Sequence, residues 1–330
     1  MNKYLIIVFF LIINSACFDP AGRDNPLDPE SGIYSPQGRI QGYVNAYYQT
    51  DQPVAGAAIY LYPSGNYEIS SEDGYFEFNR LPAGKYKIKA VRKGYRSDST
   101  EVDIDNNIRE IQLQLNGHPV IEQVILQTHH ISRWWPSEDL YYISVDAYVE
   151  DPDGATDIDS VWVEVPTGGN IFPLTRTGQN GEFSKTVTDQ ELFVPSLYYL
   201  QGKPIMVYCR DLLDNQGESE KMYIPRIIEQ IPVLVYPTDL ASINNSPITF
   251  EWEPLYLGFP YKYKFEIYQI NLGVYNKIYE IDELPGNTQA YTFTNMLDQG
   301  DYFWVLYIID EFGDSSRSKE GAFRIIRDLN

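Results

Sequence analysis

Polar and apolar residues alternate along much of this chain with the period of two that belongs to half-buried strands. The plainest case lies in SSEDGYFEFNRLPAGKYKIKAVRKGY, where Lys85, Lys87 and Lys89 share one face and Tyr86, Ile88 and Ala90 the other. The lysines are therefore expected in solvent and the apolar set in a core. GRIQGYV and PVAGAAIYLY precede this run and IREIQLQL follows it. Asp73-Gly74 and Pro82-Ala83-Gly84 punctuate it, glycine supplying the positive φ that tight turns need. These signals fill residues 37–116.

Beyond residue 116 the period recurs with wider spacing. Strands are expected at 120–126, 141–149, 160–165, 183–187 and 205–210, separated by turn-rich stretches such as Asp151-Pro152-Asp153-Gly154 and Thr167-Gly168-Gly169-Asn170. That spacing over 117–229 suits an immunoglobulin-like sandwich. A last stretch, 230–330, follows the extended Ile231-Pro232-Val233. Its early Trp252, the alternating run 261–268 and the tyrosine opening Gly300-Asp301-Tyr302-Phe303-Trp304-Val305 are similar to the fibronectin type III pattern, without an Arg-Gly-Asp loop. Segments 37–116 and 230–330 each carry a full set of strand and turn signals, so each is expected to fold alone.

Residues 205–219 (IMVYCRDLLDNQGES) and 305–318 (VLYIIDEFGDSSRS) echo each other as an apolar strand, an Asp, a short turn with Gly, and a Ser. Each reads as a closing hairpin in which Asp211 or Asp310 holds turn amides through its side chain. Chance likeness between two hairpins is the alternative.

Pro53-Val54-Ala55-Gly56-Ala57, Asp73-Gly74-Tyr75-Phe76, Leu81-Pro82-Ala83-Gly84-Lys85-Tyr86 and Gly94-Tyr95 together resemble the carboxypeptidase regulatory-like domain. The resemblance implies a transthyretin-like sandwich of about seven strands and no catalytic residues. The whole chain is thus expected to be all-β, with tandem β-sandwich modules after a signal peptide and a flexible tether.

The amino end carries the leader. LIIVFFLII, nine apolar residues after Lys3, runs into Asn14, Ser15, Ala16 and Cys17. It is too short to span a bilayer, which takes roughly 20 apolar residues, and has the layout of a signal peptide over 1–16. The cysteine after small residues resembles the bacterial lipobox, in which the thiol receives a lipid and the chain is cut before it. Asn14 stands where that motif usually has an aliphatic residue, and an ordinary secretory peptide is the alternative. Residues 17–36 then read as the lipidated cysteine and a proline-rich tether, which would hold the first module on the order of 25 Å from the membrane. RDNPLDP within it resembles the spacers of bacterial lipoproteins.

Only one other cysteine exists, Cys209. With Cys17 lipidated no intramolecular disulfide is possible, and Cys209 in IMVYC reads as a buried, inert thiol. The 330 residues are 43% hydrophobic and include 28 tyrosines, enough to fill two or three cores and suited to pleated strands. Loss of the leader removes only Lys3 among charged groups and leaves 24 basic against 46 acidic residues. Such a surface argues against nucleic acid as a partner and against adhesion to anionic lipid. The acidity is uneven: segment 117–229 has 7 basic and 18 acidic residues, whereas 37–116 has 9 and 10.

Hydrolase elbows, zinc-protease motifs and P-loops are missing from the sequence. His129 and His130 should point to opposite faces of a strand, so they cannot alone share a metal; with His118 they are expected as exposed surface residues. Trp134, Trp135, Tyr141 and Tyr142 cluster beside Pro136. They suit either a stacking platform for a sugar ring, with Trp134 and Trp135 as its residues, or a mixture of core and module boundary. Asp151, Asp153, Asp157 and Asp159 pack four carboxylates into nine residues, a candidate calcium loop without EF-hand spacing. Asp-Pro-Asp-Gly is also a common turn whose aspartates bond their own backbone.

The expectation is therefore a non-enzymatic lipoprotein of the bacterial envelope. The lipid on Cys17 is its membrane attachment, and the outer membrane, on its periplasmic or surface face, is the expected place. It would present sandwiches for binding, adhesion or spacing, to a protein or glycan partner. An accessory part in cell-surface glycan capture is the alternative.

Overall fold

The computed structural model describes residues 28, 30–31, 37–166, 169–178, 180–244 and 247–326. The signal peptide, Cys17 and most of the tether lie outside the described residues. The described chain is all-β, and its two 3-10 turns, Ala155–Asp157 and Leu197–Leu200, are the only helical elements. No helix among the described residues is long and apolar enough to cross a membrane. Two compact units divide after Gly117.

In the first unit the strands are β1 (Gly38–Ala46), β2 (Ala58–Tyr62), β3 (Asn66–Ile69), β4 (Tyr75–Leu81), β5 (Gly84–Val91), β6 (Tyr95–Arg96), β7 (Asp98–Ile104) and β8 (Ile108–Gly117). They form two four-stranded sheets, β4-β1-β8-β6 and β3-β2-β5-β7. Alternation sets the core: Tyr86, Ile88 and Ala90 of β5 are buried, whereas Lys85 and Lys87 are exposed. Ile40, Val44, Leu61 and Leu113 complete the same core. β1 and β8 run parallel and so close that a Cβ on Gly42 would lie 2.0 Å from the Ile111 carbonyl oxygen. The Tyr86 hydroxyl donates to the Pro82 carbonyl at 2.9 Å and pins the turn before β5.

The second unit contains β9 (Val120–Ile131), β10 (Leu140–Glu150), β11 (Ile158–Val165), β12 (Asn170–Pro173), β13 (Thr175–Arg176), β14 (Glu182–Thr188), β15 (Met206–Asp211) and β16 (Gln216–Glu218). It continues with β17 (Leu234–Tyr236), β18 (Ala241–Ile243), β19 (Ile248–Trp252), β20 (Tyr261–Asn271), β21 (Val274–Pro285), β22 (Ala290–Phe293), β23 (Gly300–Asp310), β24 (Ser315–Arg317) and β25 (Gly321–Ile325). Two cores fill it. One runs from Ile143 to Ile227 in sequence; the other runs from Ile228 to Ile325 and is built on Phe250, Trp252, Tyr263, Phe265, Trp304 and Phe323. The indole N–H of Trp304 donates to Pro237 O at 2.7 Å and that of Trp252 to Thr288 O at 2.8 Å, so both buried polar tips are satisfied.

A single ten-stranded sheet spans both cores, with eight strands on the path β13-β14-β10-β9-β24-β23-β20-β21 and two more branching from it, β25 beside β23 and β18 beside β25. Its crossing point is the parallel pairing of β24 with β9, which sets Ser315 against His129, Ser316 against His130 and Arg317 against Ile131. Backbone hydrogen bonding therefore passes directly from one sandwich to the next.

Candidate functional site

The β9–β24 seam buries groups expected at the surface. His130 is 3% exposed and stacks on Tyr141 at 4.2 Å, while His129 is half-buried and stacks on Tyr142 at 4.5 Å. The expectation of exposed histidines at these two positions is corrected here. Alternation does separate them onto opposite faces, but β24, residues 226–228 and the tyrosines cover both faces. His129 Nδ1 lies 2.8 Å from Ser315 Oγ and Nε2 2.8 Å from Ser144 Oγ. Burial pushes the His129 ring down to about 4, so it is neutral at physiological pH. His130 bridges Asp139 at 2.9 Å and the Ile228 carbonyl at 3.3 Å. The pair acts as mortar rather than as a metal site.

Trp134 and Trp135 follow β9. They are 63% and 87% exposed, so neither is core. The Trp134 indole N–H donates to Glu320 O at 2.8 Å, and Lys319 Nζ sits 4.4 Å from its ring. Trp134 forms one wall of an open cleft of about 440 Å³ whose other walls include Ile231, Leu234, Leu240 and Ala322. Trp135 makes no ring contact or hydrogen bond among the described residues, which leaves both its faces available.

The acidic turn lies between β10 and β11. Asp151 Oδ1 accepts the Asp153 amide at 2.8 Å, as an aspartate-led turn requires. The structure also brings Asp151, Asp153 and Asp157 together, with one oxygen from each within 4.8 Å of the others. Asp159 is not brought in: β11 has begun, Ile158 takes the inward face, and Asp159 turns outward to Arg210 at 3.0 Å. Asp211, which sequence spacing did not connect to this turn, lies close enough to repel both Asp151 and Asp157. Burial first, then neighbouring acids, pushes Asp151 up to about 7 despite the Asp153 amide. Burial and then Asp211 raise Asp157 to about 6. Cys209 next door is fully buried, and burial lifts its thiol to about 11, which makes it a poor nucleophile.

The two echoed hairpins prove to be built alike. Asp211 Oδ1 accepts the amides of Leu213 and Asn215, both at 2.8 Å, and Asp310 Oδ1 accepts those of Phe312 and Asp314 at 2.9 and 3.0 Å. Ser219 Oγ accepts the Val207 amide at 2.9 Å and Ser318 Oγ the Leu306 amide at 3.0 Å.

These folds define a class: a string of β-sandwich modules. Comparison with known proteins adds that residues 40–126 match the model of the CarboxypepD_reg-like domain family. No curated protein matches the chain. Among solved structures, the chain is similar to the FN1-FN3 domains of chicken CNTN1, at 8% identity and a TM-score of 0.34, covering 84% of this chain and 92% of that one. It is also similar to the major pilin subunit of Bacillus cereus, at 12% identity and a TM-score of 0.30, covering 88% and 96%. A third is a putative carbohydrate binding protein from Bacteroides uniformis, at 9% identity and a TM-score of 0.24, covering 57% and 99%. At such scores these likenesses carry no functional argument.

Proposed function

We propose that this chain is a non-catalytic lipoprotein of the bacterial envelope, held by a lipid on Cys17 and projecting its sandwiches outward as a stiff binding or spacing arm. The observation that carries the reading is the apolar run 5–13 leading through Asn14-Ser15-Ala16 to Cys17, followed in the sequence by a proline-rich tether and, among the described residues, by sandwich modules. The β9–β24 seam supports stiffness, because bending there would break ladder hydrogen bonds and expose His130. The match of 40–126 to an accessory-domain family supports a role in presentation rather than in catalysis. The test is fractionation of cells expressing the native chain or Cys17→Ser. The native chain should partition with membranes, and the variant should be released or left uncut. A variant processed normally and still wholly membrane-bound contradicts the reading.

Glycan capture is the second reading, and the exposure of Trp134 and Trp135 beside the cleft favours it. Aromatic faces of this kind suit the apolar face of a sugar ring. Purified chain passed over immobilised polysaccharides should then be retained, with retention lost in Trp135→Ala, a change that breaks no hydrogen bond or ring contact within the described residues. Equal retention of the variant removes this reading.

A further inference from the structure

Asp157 occupies a position that a carboxylate does not tolerate on its own. It is 1% exposed, and among the described residues no donor lies within good hydrogen-bond geometry of either carboxylate oxygen; the Leu212 amide favours its charge only weakly, less than burial and the neighbouring acids oppose it. An ionised group taken out of water needs a counter-charge, a donor or a metal. Its oxygens point into the group where those of Asp151 and Asp153 lie within 4.8 Å of one another. Two oxygens on opposite sides of a calcium ion, each about 2.4 Å from it, are about 4.8 Å apart. One ion can therefore touch all three residues.

The chain contains its own control. In the third sandwich the Asp310 hairpin gathers Glu311 and Asp314 as well, and Arg226 answers them: its guanidinium pairs with Asp310 Oδ2 and lies 3.2 Å from Glu311. Phe259 stacks 3.8 Å from the same guanidinium and holds it in place. In the second sandwich the Asp211 hairpin has the same amide bonds and faces Asp151 and Asp157, but among the described residues neither of these two forms an ion pair with a lysine or arginine. Asp211 Oδ2 is met by the neutral Asn215 Nδ2 at 2.6 Å. Arg226 thus meets the acids of one hairpin, whereas Arg210 of the other turns outward to Asp159 and Asp214.

We infer that the turn joining β10 to β11 binds one calcium ion through Asp151, Asp153 and Asp157, with Asp211 adding charge from the facing hairpin. The donor set is all oxygen, without the histidine or thiolate that zinc prefers. Magnesium retains several waters and is seldom held by three carboxylates. The remaining calcium ligands would come from turn carbonyls and water. Such an ion would tie the β10–β11 turn to the β15–β16 hairpin and relieve the mutual repulsion of the acids.

The full-length chain, purified free of metal, is titrated with calcium chloride by isothermal calorimetry and melted in about 5 mM calcium or in chelator. One ion per chain should bind, with a dissociation constant on the order of 10⁻⁴ M. The tryptophan-detected Tm should rise by about 5 °C in calcium. Asp157→Asn removes a buried charge with little change of shape, so it should fold without the ion and lose both responses. Asp151→Asn should do the same, and Asp159→Asn, outside the group, should behave like the parent. No heat with identical Tm in calcium and chelator overturns the site, as does binding that survives both Asp157→Asn and Asp151→Asn. An equal response to magnesium overturns the assignment to calcium.

Discussion

Thr128 and Asp314, 186 residues apart, are bonded twice: the Thr128 amide donates to Asp314 Oδ1 at 2.7 Å and its hydroxyl to the same oxygen at 3.1 Å. The Thr128 hydroxyl also lies 2.8 Å from Arg226 O, so its one proton is shared between that carbonyl and Asp314. These bonds join β9 of the second sandwich, the turn before β24 of the third and the segment that connects the two. Asp314 is fully buried, and its other oxygen has no partner.

That burial has a pH signature. Desolvation outweighs the Thr128 amide and raises Asp314 to about 6. A carboxyl raised in the folded state contributes stability below its unfolded value, and this is lost as pH rises from about 4 through about 6. Asp314→Asn keeps the acceptor for Thr128 and removes the titration. The stability of the variant relative to the parent should therefore increase between pH 4 and pH 7, by up to about 3 kcal/mol. Chemical unfolding at both pH values measures it, and a constant difference contradicts the assignment.

Separating the sandwiches should weaken the third. A fragment of residues 230–330 loses β9 beside β24 and leaves Arg226 and Thr128 behind, so buried Asp310 loses its ion pair with Arg226 and buried Asp314 its bonds from Thr128. Segment 118–330 is expected to melt in one cooperative transition, and fragment 230–330 at least about 5 °C below it. Two transitions in 118–330, with the second matching the fragment, would show the seam to be energetically silent.

Gly42→Ala tests the packing of the first unit. The new Cβ would meet the Ile111 carbonyl at 2.0 Å, a backbone atom that cannot yield without parting β1 from β8. A loss of about 2 kcal/mol or more is expected. All five tryptophans lie in the second unit. Circular dichroism should therefore show a first-unit transition lowered by about 10 °C, with the tryptophan-detected transition unchanged. Movement of both would mean that the units unfold together.

Much of the strand framework was legible because alternation depends on nearest neighbours. β5 shows Lys85, Lys87 and Ile88 on their expected faces, and β10, β11, β14 and β15 lie within two residues of where the pattern placed them. What covers a face is not local, and alternation carries no information about it. His129 and His130 lie on opposite faces as alternation requires, yet both are covered because β24 arrives from far along the chain. The acidic loop was visible as a run of carboxylates. Its membership was not, since Asp159 is turned away by the onset of β11 and Asp211 enters from a distant hairpin. The echo of 205–219 in 305–318 is a long-range signal in the sequence, and it marks Asp211 without revealing what Asp211 faces.

The central claim is anchorage through Cys17, and mass analysis of the amino-terminal peptide of the protein isolated from membranes tests it most directly. The account predicts that the mature chain begins at Cys17 with a diacylglyceryl group on its sulfur. A mature chain that begins elsewhere, or a Cys17 recovered as a free thiol, would contradict it.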